Sequence, residues 1–147
     1  MLADADATAA LAGKIAARLG AGDTLLLDGD IGAGKTTFAR ALIRARLHSP
    51  REDVPSPTFT LVQTYDAGDL EIWHCDLYRL TDTQEVLELG LDEAFSKSIC
   101  LIEWPDRLGP DAPTDALRCE FIAGPKHHVV TLTGSARWQA MLGDLHV

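Results

Sequence analysis

The sequence has no long apolar run, no basic leader and few cysteines. No apolar stretch approaches the ~18 residues that would cross a membrane. Residues 1–6 are acidic, whereas a secretory signal peptide opens with positive charge. The cysteines, Cys75, Cys100 and Cys119, are odd in number and lack metal-ligand spacing, so we expect reduced thiols. These features predict a cytoplasmic protein that does not associate with membranes.

Positively charged residues are also few, which helps to distinguish a nucleic-acid partner from a protein partner. Lysine and arginine number 13 against 22 aspartate and glutamate residues, which gives a formal net charge of −9. A protein that grips nucleic acid along its backbone usually carries a basic patch or a high pI. The spaced Arg40, Arg44 and Arg46 are typical of the solvated face of a helix. The charge balance disfavours direct binding of RNA or DNA and favours protein partners.

The remaining composition is that of an ordinary globular domain. The chain has 147 residues, of which 46% are hydrophobic and 24% are charged. A chain of this length can bury a substantial core within one domain. We therefore expect residues 1–147 to form a single domain.

What the sequence does contain is a glycine-rich stretch between an apolar run and a helical pattern. Residues 29–36 are Gly-Asp-Ile-Gly-Ala-Gly-Lys-Thr, which fits the P-loop pattern of glycine, four residues, glycine, lysine and threonine. The apolar run at residues 24–28 predicts a buried strand before the loop. After the loop, Phe38, Leu42 and Ala45 recur at helical spacing. Strand, loop and helix are the context that the pattern requires.

The pattern predicts a nucleotide site for physical reasons. A loop around a triphosphate must aim several backbone N–H groups inward, which glycine allows best. The following helix adds the positive end of its dipole. Lys35 is expected to contact the outer phosphates, and the Thr36 hydroxyl is expected to hold Mg²⁺. The predicted nucleotide-binding residues of the loop are Gly29, Asp30, Ile31, Gly32, Ala33, Gly34, Lys35, Thr36 and Thr37.

Hydrophobic patterns elsewhere predict an α/β fold. Helices are predicted over residues 6–19, 37–47, 82–89 and 135–145, with one helical turn over 91–95. Strands are predicted over residues 60–65 and 70–76, joined as an antiparallel hairpin, and over 99–103, 116–123 and 128–133. The apolar run 99–102 is typical of a buried parallel strand. We expect a P-loop NTPase-like domain with a mixed parallel and antiparallel sheet flanked by helices.

Two acidic residues follow predicted strands and are candidates for the site. Ligands collect at the carboxyl ends of strands in open α/β sheets. Nucleotide hydrolysis on this architecture needs Mg²⁺ and a group that positions water. Glu103, after the apolar strand, is the better candidate for the metal side, and Asp76 is the second acid. Thr58 lies in the loop after the helix, where P-loop proteins often keep a segment that senses the γ-phosphate.

Two further residues near these acids have open interpretations. Trp104, beside Glu103, either walls the site or packs in the core. His74 is interpreted as an ordinary strand residue, because no neighbour of metal-ligand type is identifiable from the sequence.

The residues alone leave three alternatives to an ATPase. A small-molecule kinase would need a basic lid, which the short stretch after Glu103 with its dispersed arginines hardly provides. A GTPase would explain the Asp-x-x-Gly pattern at residues 106–109, but the sequence has no asparagine and no Lys-x-Asp for guanine recognition. A nucleotide-gated scaffold without turnover remains open.

Four segments, in this order, resemble the TsaE (also called YjeE) family, the small ATPase of bacterial tRNA threonylcarbamoyladenosine synthesis. They are residues 29–37, Ser-Pro-Thr-Phe-Thr-Leu-Val at 56–62, His-Cys-Asp-Leu-Tyr-Arg-Leu at 74–80 and Glu-Trp-Pro at 103–105. Many ATPases share the first segment, whereas the four together are specific. The resemblance covers more than half of the chain, from about residue 22 to residue 104.

The resemblance implies a function that the residues alone do not show. The family binds ATP and Mg²⁺, hydrolyses ATP slowly by itself and joins the partner proteins TsaB and TsaD. TsaD transfers a threonylcarbamoyl group to adenosine 37 of tRNAs that read ANN codons. The ATPase would reset that complex, so tRNA would be a partner only through the complex.

The same motifs imply individual roles. Lys35 would contact phosphates, and Thr36 and Glu103 would hold Mg²⁺. Thr58 would be the switch threonine, and Asp76 an essential acid near the γ-phosphate, so that both would serve catalysis together with Lys35.

The chain departs from the family pattern in two places. Cys75 stands where the family usually has an apolar or aromatic residue. Trp104 would lie close to the nucleotide, but the segment after it diverges, so the adenine contacts stay unassigned.

Overall fold

The apolar run after residue 23 forms a strand, Thr24–Gly29, whose leucines are buried on both sides of a sheet. Leu25 and Leu27 enter one hydrophobic cluster and Leu26 enters another. A strand that is covered on both faces needs such a continuous apolar run, because neither face meets water.

The structure is a computed structural model and describes residues 5–29, 34–49, 51–55, 61–78, 90–106, 108, 113, 115–123 and 128–142. In chain order the elements are α1 (Ala5–Ala16), β1 (Thr24–Gly29), α2 (Lys35–Leu47), β2 (Val62–Asp66), β3 (Glu71–Asp76), α3 (Leu91–Lys97), β4 (Ile99–Glu103), β5 (Leu117–Ala123), β6 (His128–Thr133) and α4 (Ala136–Leu142).

The strands form one six-stranded mixed sheet in the order β2-β3-β4-β1-β5-β6. The four inner strands are parallel, and the two edge strands run antiparallel to their neighbours. The predicted hairpin of β2 and β3 and the predicted buried parallel strand β4 are both confirmed. The expected α/β fold with a mixed sheet is therefore confirmed.

Helices cover both faces of the sheet. Residues of α1, α2 and α4 share a cluster with Leu25 and Leu27, whereas Leu91 and Ala94 of α3 share the other cluster with Leu26. No helix within the described ranges is long and apolar enough to cross a membrane.

All three cysteines are buried and free, in agreement with the expectation of reduced thiols. Burial raises the pKa of Cys100 and that of Cys119 to about 12. Thiols held in the protonated form by burial are poor nucleophiles and act as small core residues.

Several predicted boundaries differ from the structure. Helix α1 ends at Ala16, before the predicted Leu19, because Arg18 and Leu19 donate their N–H groups three residues back instead of four. Strand β2 begins at Val62, since Leu61 has a φ of 69°, which is incompatible with an extended strand. Helix α3 is longer than the single predicted turn. The helix predicted over residues 82–89 lies outside the described residues.

Arg46 of α2 ties the two helices of one face together. Its Nη1 donates hydrogen bonds to the backbone carbonyls of Ala16 (2.8 Å) and Leu19 (2.7 Å). Ala16 is the last residue of α1 and Leu19 lies just beyond it, so neither carbonyl accepts the helical N–H from four residues later. A cation at this end also complements the helix dipole.

We expect Arg46→Ala to lower the free energy of unfolding by about 1–3 kcal/mol, since two carbonyls lose a charged donor. Urea denaturation followed by circular dichroism would measure the change. The matched control is Arg51→Ala, at an exposed arginine after α2, which should stay within about 0.5 kcal/mol of the wild type. Equal losses in the two variants would contradict this role of Arg46.

Candidate functional site

The parallel strands bring the carboxyl ends of β1, β3 and β4 to one edge of the sheet. In the strand register Asp76 lies opposite Glu103, and Glu103 also lies opposite Leu27, two residues before Gly29. Helix α2 begins at Lys35, just after the glycine-rich loop that follows β1. Both candidate acids therefore lie at the carboxyl ends of the parallel strands, near the N-terminus of α2.

Two glycines fix the ends of the loop. Gly29 has a φ of 140°, and a Cβ atom there would overlap the Phe121 carbonyl oxygen of the neighbouring β5. Gly34 has a φ of 107° and precedes the first turn of α2, where its carbonyl accepts a hydrogen bond from Phe38. Both positions need glycine, for close approach and for a left-handed backbone. Asp30, Ile31, Gly32 and Ala33 lie outside the described residues.

Lys35 lies between the loop and an aromatic ring. Its side chain is 5% exposed, and Nζ donates a hydrogen bond to the Gly29 carbonyl at 2.5 Å. The same ammonium lies 3.5 Å from the centroid of the Trp104 ring, which is a cation–π contact. The charge of Lys35 is thus held between the Gly29 carbonyl and the Trp104 ring.

Thr36 and Glu103 form a direct contact between α2 and β4. The Thr36 hydroxyl donates a hydrogen bond to Oε1 of Glu103 at 2.9 Å. Glu103 is 2% exposed, although it carries a carboxyl group. Thr37, the next loop residue of the sequence prediction, is exposed on the first turn of α2.

The sequence interpretation missed the neighbour of His74. Nε2 of His74 lies 2.7 Å from Oε2 of Glu103, and both side chains are buried. His74, two residues before Asp76, shares its face of β3, and Glu103 ends the adjacent strand. The alternation along β3 could have placed His74 beside Asp76, but the strand order that brings Glu103 to it is not readable from the sequence.

Asp76 ends β3 in a tightly bonded turn. Its backbone N–H donates to the Leu61 carbonyl at 2.9 Å, and its Oδ1 accepts the backbone N–H of Tyr78 at 3.0 Å. The N–H of the next residue, Leu77, donates to the Glu103 carbonyl at 3.1 Å. These bonds hold Asp76 at the level of Glu103, with its side chain mostly buried.

Trp104 combines the two alternatives, because the partly buried residue packs against the cluster that contains Leu26 and its ring also lies against Lys35. The residue has a left-handed φ of 60°, which is rare for a bulky side chain and points to a functional constraint. Its ring lies 4.8 Å from the ring of the half-exposed Tyr78, and Lys35 lies against it. Thr58, the candidate switch residue, lies outside the described residues.

The donor atoms at this edge suit Mg²⁺. A hydroxyl and a carboxylate are hard oxygen ligands, and Mg²⁺ is commonly held by one or two carboxylates together with phosphate oxygens and water. Among the described residues there is no group of three or more His, Cys, Asp or Glu that could hold a metal ion. The pair of Thr36 and Glu103 supplies one oxygen ligand of each kind, which suits a metal whose other ligands are phosphate oxygens and water.

Comparisons with known proteins identify the family to which the chain is similar. The family model described as threonylcarbamoyl adenosine biosynthesis protein TsaE matches residues 2–129. The tRNA threonylcarbamoyladenosine biosynthesis protein TsaE of Bacillus subtilis (strain 168) is 37% identical over 137 residues, which are 92% of this chain and 84% of that protein. The TsaE protein of Rickettsia bellii is 44% identical over 99 residues, which are 67% of this chain and 68% of that protein.

The chain matches a smaller share of some other relatives. A solved structure supports the fold. The match to the TsaE protein of Rickettsia felis spans 61% of that protein at 42% identity. The crystal structure of Bacillus subtilis YdiB superposes with a TM-score of 0.77 at 31% identity, covering 96% of this chain and 88% of that one.

We expect Gly29→Ala to destabilise the protein by about 2 kcal/mol or more, because the backbone angle is strained for alanine and the new methyl group meets Phe121. Thermal or urea unfolding would measure the loss. The control is Gly13→Ala in the interior of α1, where a Cβ meets nothing and alanine should stabilise by roughly 0.5–1 kcal/mol. An unchanged stability of Gly29→Ala would contradict the close approach of β1 and β5.

Proposed function

We propose that this chain, which belongs to the TsaE family of threonylcarbamoyl adenosine biosynthesis proteins, binds and hydrolyses ATP. Its role lies in tRNA threonylcarbamoyladenosine biosynthesis, the process for which its relatives are named. The observation that carries the ATPase proposal is the contact of Thr36 with Glu103 beside the buried ammonium of Lys35.

The P-loop residues would bind the phosphates. Lys35 would exchange its hydrogen bond to the Gly29 carbonyl for phosphate oxygens, which are charged acceptors and hence stronger partners. The Thr36 hydroxyl and the Glu103 carboxylate would hold Mg²⁺, which offsets the charge of the phosphates when it is bound. The Trp104 ring, already against Lys35, would shield this charge from water.

Asp76 is the proposed general base for water activation. A carboxylate that ends a strand beside Glu103 is well placed to orient a water molecule and to take up its proton. Its turn bonds to Tyr78 and Leu61 would keep it in position during the step. Thr58 is proposed as the residue that senses the γ-phosphate.

The proposed partners are TsaB-like and TsaD-like proteins in the cytoplasm. The net charge of −9 suits contacts with proteins better than a direct grip on tRNA. The tRNA, modified at adenosine 37 where it reads ANN codons, would be reached through that complex.

A reconstituted reaction tests the proposed function. ATP hydrolysis is measured for the protein alone and with TsaB-like and TsaD-like proteins of the same organism, and tRNA modification is quantified in parallel. We expect slow hydrolysis alone, faster hydrolysis in the complex, and modification that depends on this protein. If the protein has no effect on modification, the proposed role in the complex is wrong, even where ATP is hydrolysed.

Two variants should separate binding from chemistry. Lys35→Ala should weaken ATP binding by about 10-fold or more, because a charge-assisted bond to phosphate is lost. Asp76→Asn should bind ATP almost normally and lose roughly 10²-fold or more in hydrolysis rate. Titration calorimetry and phosphate release provide the two measurements.

Lys97→Ala is the control for the loss of a lysine, since Lys97 is exposed and pairs with Glu93 on α3. It should match the wild type in both measurements. Normal turnover of Lys35→Ala would remove the basis of the proposed site.

A further inference from the structure

His74 lies beneath the candidate site and has no role in the function proposed so far. Its imidazole is fully buried, and Nε2 contacts Oε2 of Glu103 at 2.7 Å. The contact runs diagonally between neighbouring strands, because His74 lies opposite Leu101 and Glu103 lies two residues further along β4. Both strands have a neighbour on each side, so the backbone on which the two side chains sit is held from both directions.

The two oxygens of the Glu103 carboxylate have different partners. Oε2 accepts from His74, and Oε1 accepts from the Thr36 hydroxyl at the start of α2. A carboxylate bonded through one oxygen alone can turn about its terminal torsion, which has a broad energy profile. The bond to His74 restrains this rotation and directs Oε1 toward Thr36.

The chemistry of the contact assigns the proton. An ionised carboxylate only accepts hydrogen bonds, so Glu103 in the ionised form that would bind a metal requires the imidazole N–H to be on Nε2. Nδ1 is buried and has no hydrogen-bond partner among the described residues. His74 therefore faces the site as a donor to Glu103.

We propose that His74 is a positioning residue, which orients the Glu103 carboxylate so that Oε1 and the Thr36 hydroxyl can hold Mg²⁺ together. Groups that hydrogen-bond a metal ligand without touching the metal set the orientation of that ligand. Their removal commonly lowers metal affinity by about 10-fold to 100-fold. This inference rests on the proposed function, since it assigns Glu103 to the metal that accompanies ATP.

The test compares three variants by their dependence on Mg²⁺. His74→Leu removes the donor, His74→Gln replaces it with an amide N–H, and Ile72→Ala shortens a buried side chain two residues earlier on the same face of β3. The dissociation constant of ATP is measured with Mg²⁺ and with EDTA, and the EDTA value divided by the Mg²⁺ value gives the contribution of the metal.

We expect His74→Leu to lower this ratio by about 10-fold while its affinity for ATP in EDTA stays near that of the wild type. His74→Gln should keep the ratio within about threefold of the wild type, because the amide restores a donor. Ile72→Ala should lose stability and keep the wild-type ratio, which separates positioning of Glu103 from general destabilisation.

A wild-type ratio in His74→Leu would overturn this inference alone and leave the ATP site intact. Failure of the wild-type protein to bind ATP would instead overturn the proposed function, and this inference with it.

A measurement without nucleotide covers the case in which His74→Leu does not fold. Long-range ¹H–¹⁵N spectra of the wild-type protein report which imidazole nitrogen carries the proton. We expect protonated Nε2 and a bare Nδ1 for His74. Protonation on Nδ1 with a bare Nε2 would overturn the proposal.

Discussion

A buried carboxylate must accept hydrogen bonds. The two bonds that Glu103 accepts connect β4 with α2 and with β3. The carboxyl group ends β4 with 2% exposure, so leaving it without partners would cost several kcal/mol. Thr36 supplies one bond from α2, and His74 supplies the other from β3. The start of α2 is thereby fixed against the carboxyl ends of β3 and β4.

This constraint explains why the other groups of the site lie where they do. With α2 held at the edge of the sheet, Lys35 reaches back to the Gly29 carbonyl and meets the Trp104 ring. Asp76 lies opposite Glu103 in the strand register. A positive charge, a hydroxyl and two acids at the positive end of a helix form an arrangement suited to a metal-bound triphosphate. The proposed ATPase function follows from this combination of groups, since the P-loop pattern alone occurs in many enzymes.

Much of this arrangement could be predicted from the sequence, for identifiable physical reasons. The P-loop pattern has a required spacing, and the apolar run before Glu103 is long enough to indicate a buried parallel strand. The contact of His74 with Glu103 could not be predicted, because it depends on which strands are neighbours. The left-handed backbone of Leu61 and Trp104 also has no sequence signal, since neither residue type favours it. Local patterns thus gave the elements, and the sheet order decided which side chains meet.

The most direct test of the central claim is a crystal structure with Mn²⁺ and a non-hydrolysable ATP analogue, in which anomalous scattering locates the metal. We predict that the Thr36 hydroxyl and the Glu103 carboxylate hold the metal together and that Lys35 contacts the phosphates. An analogue and metal bound elsewhere on the protein, with the contact between Thr36 and Glu103 unchanged, would contradict the account.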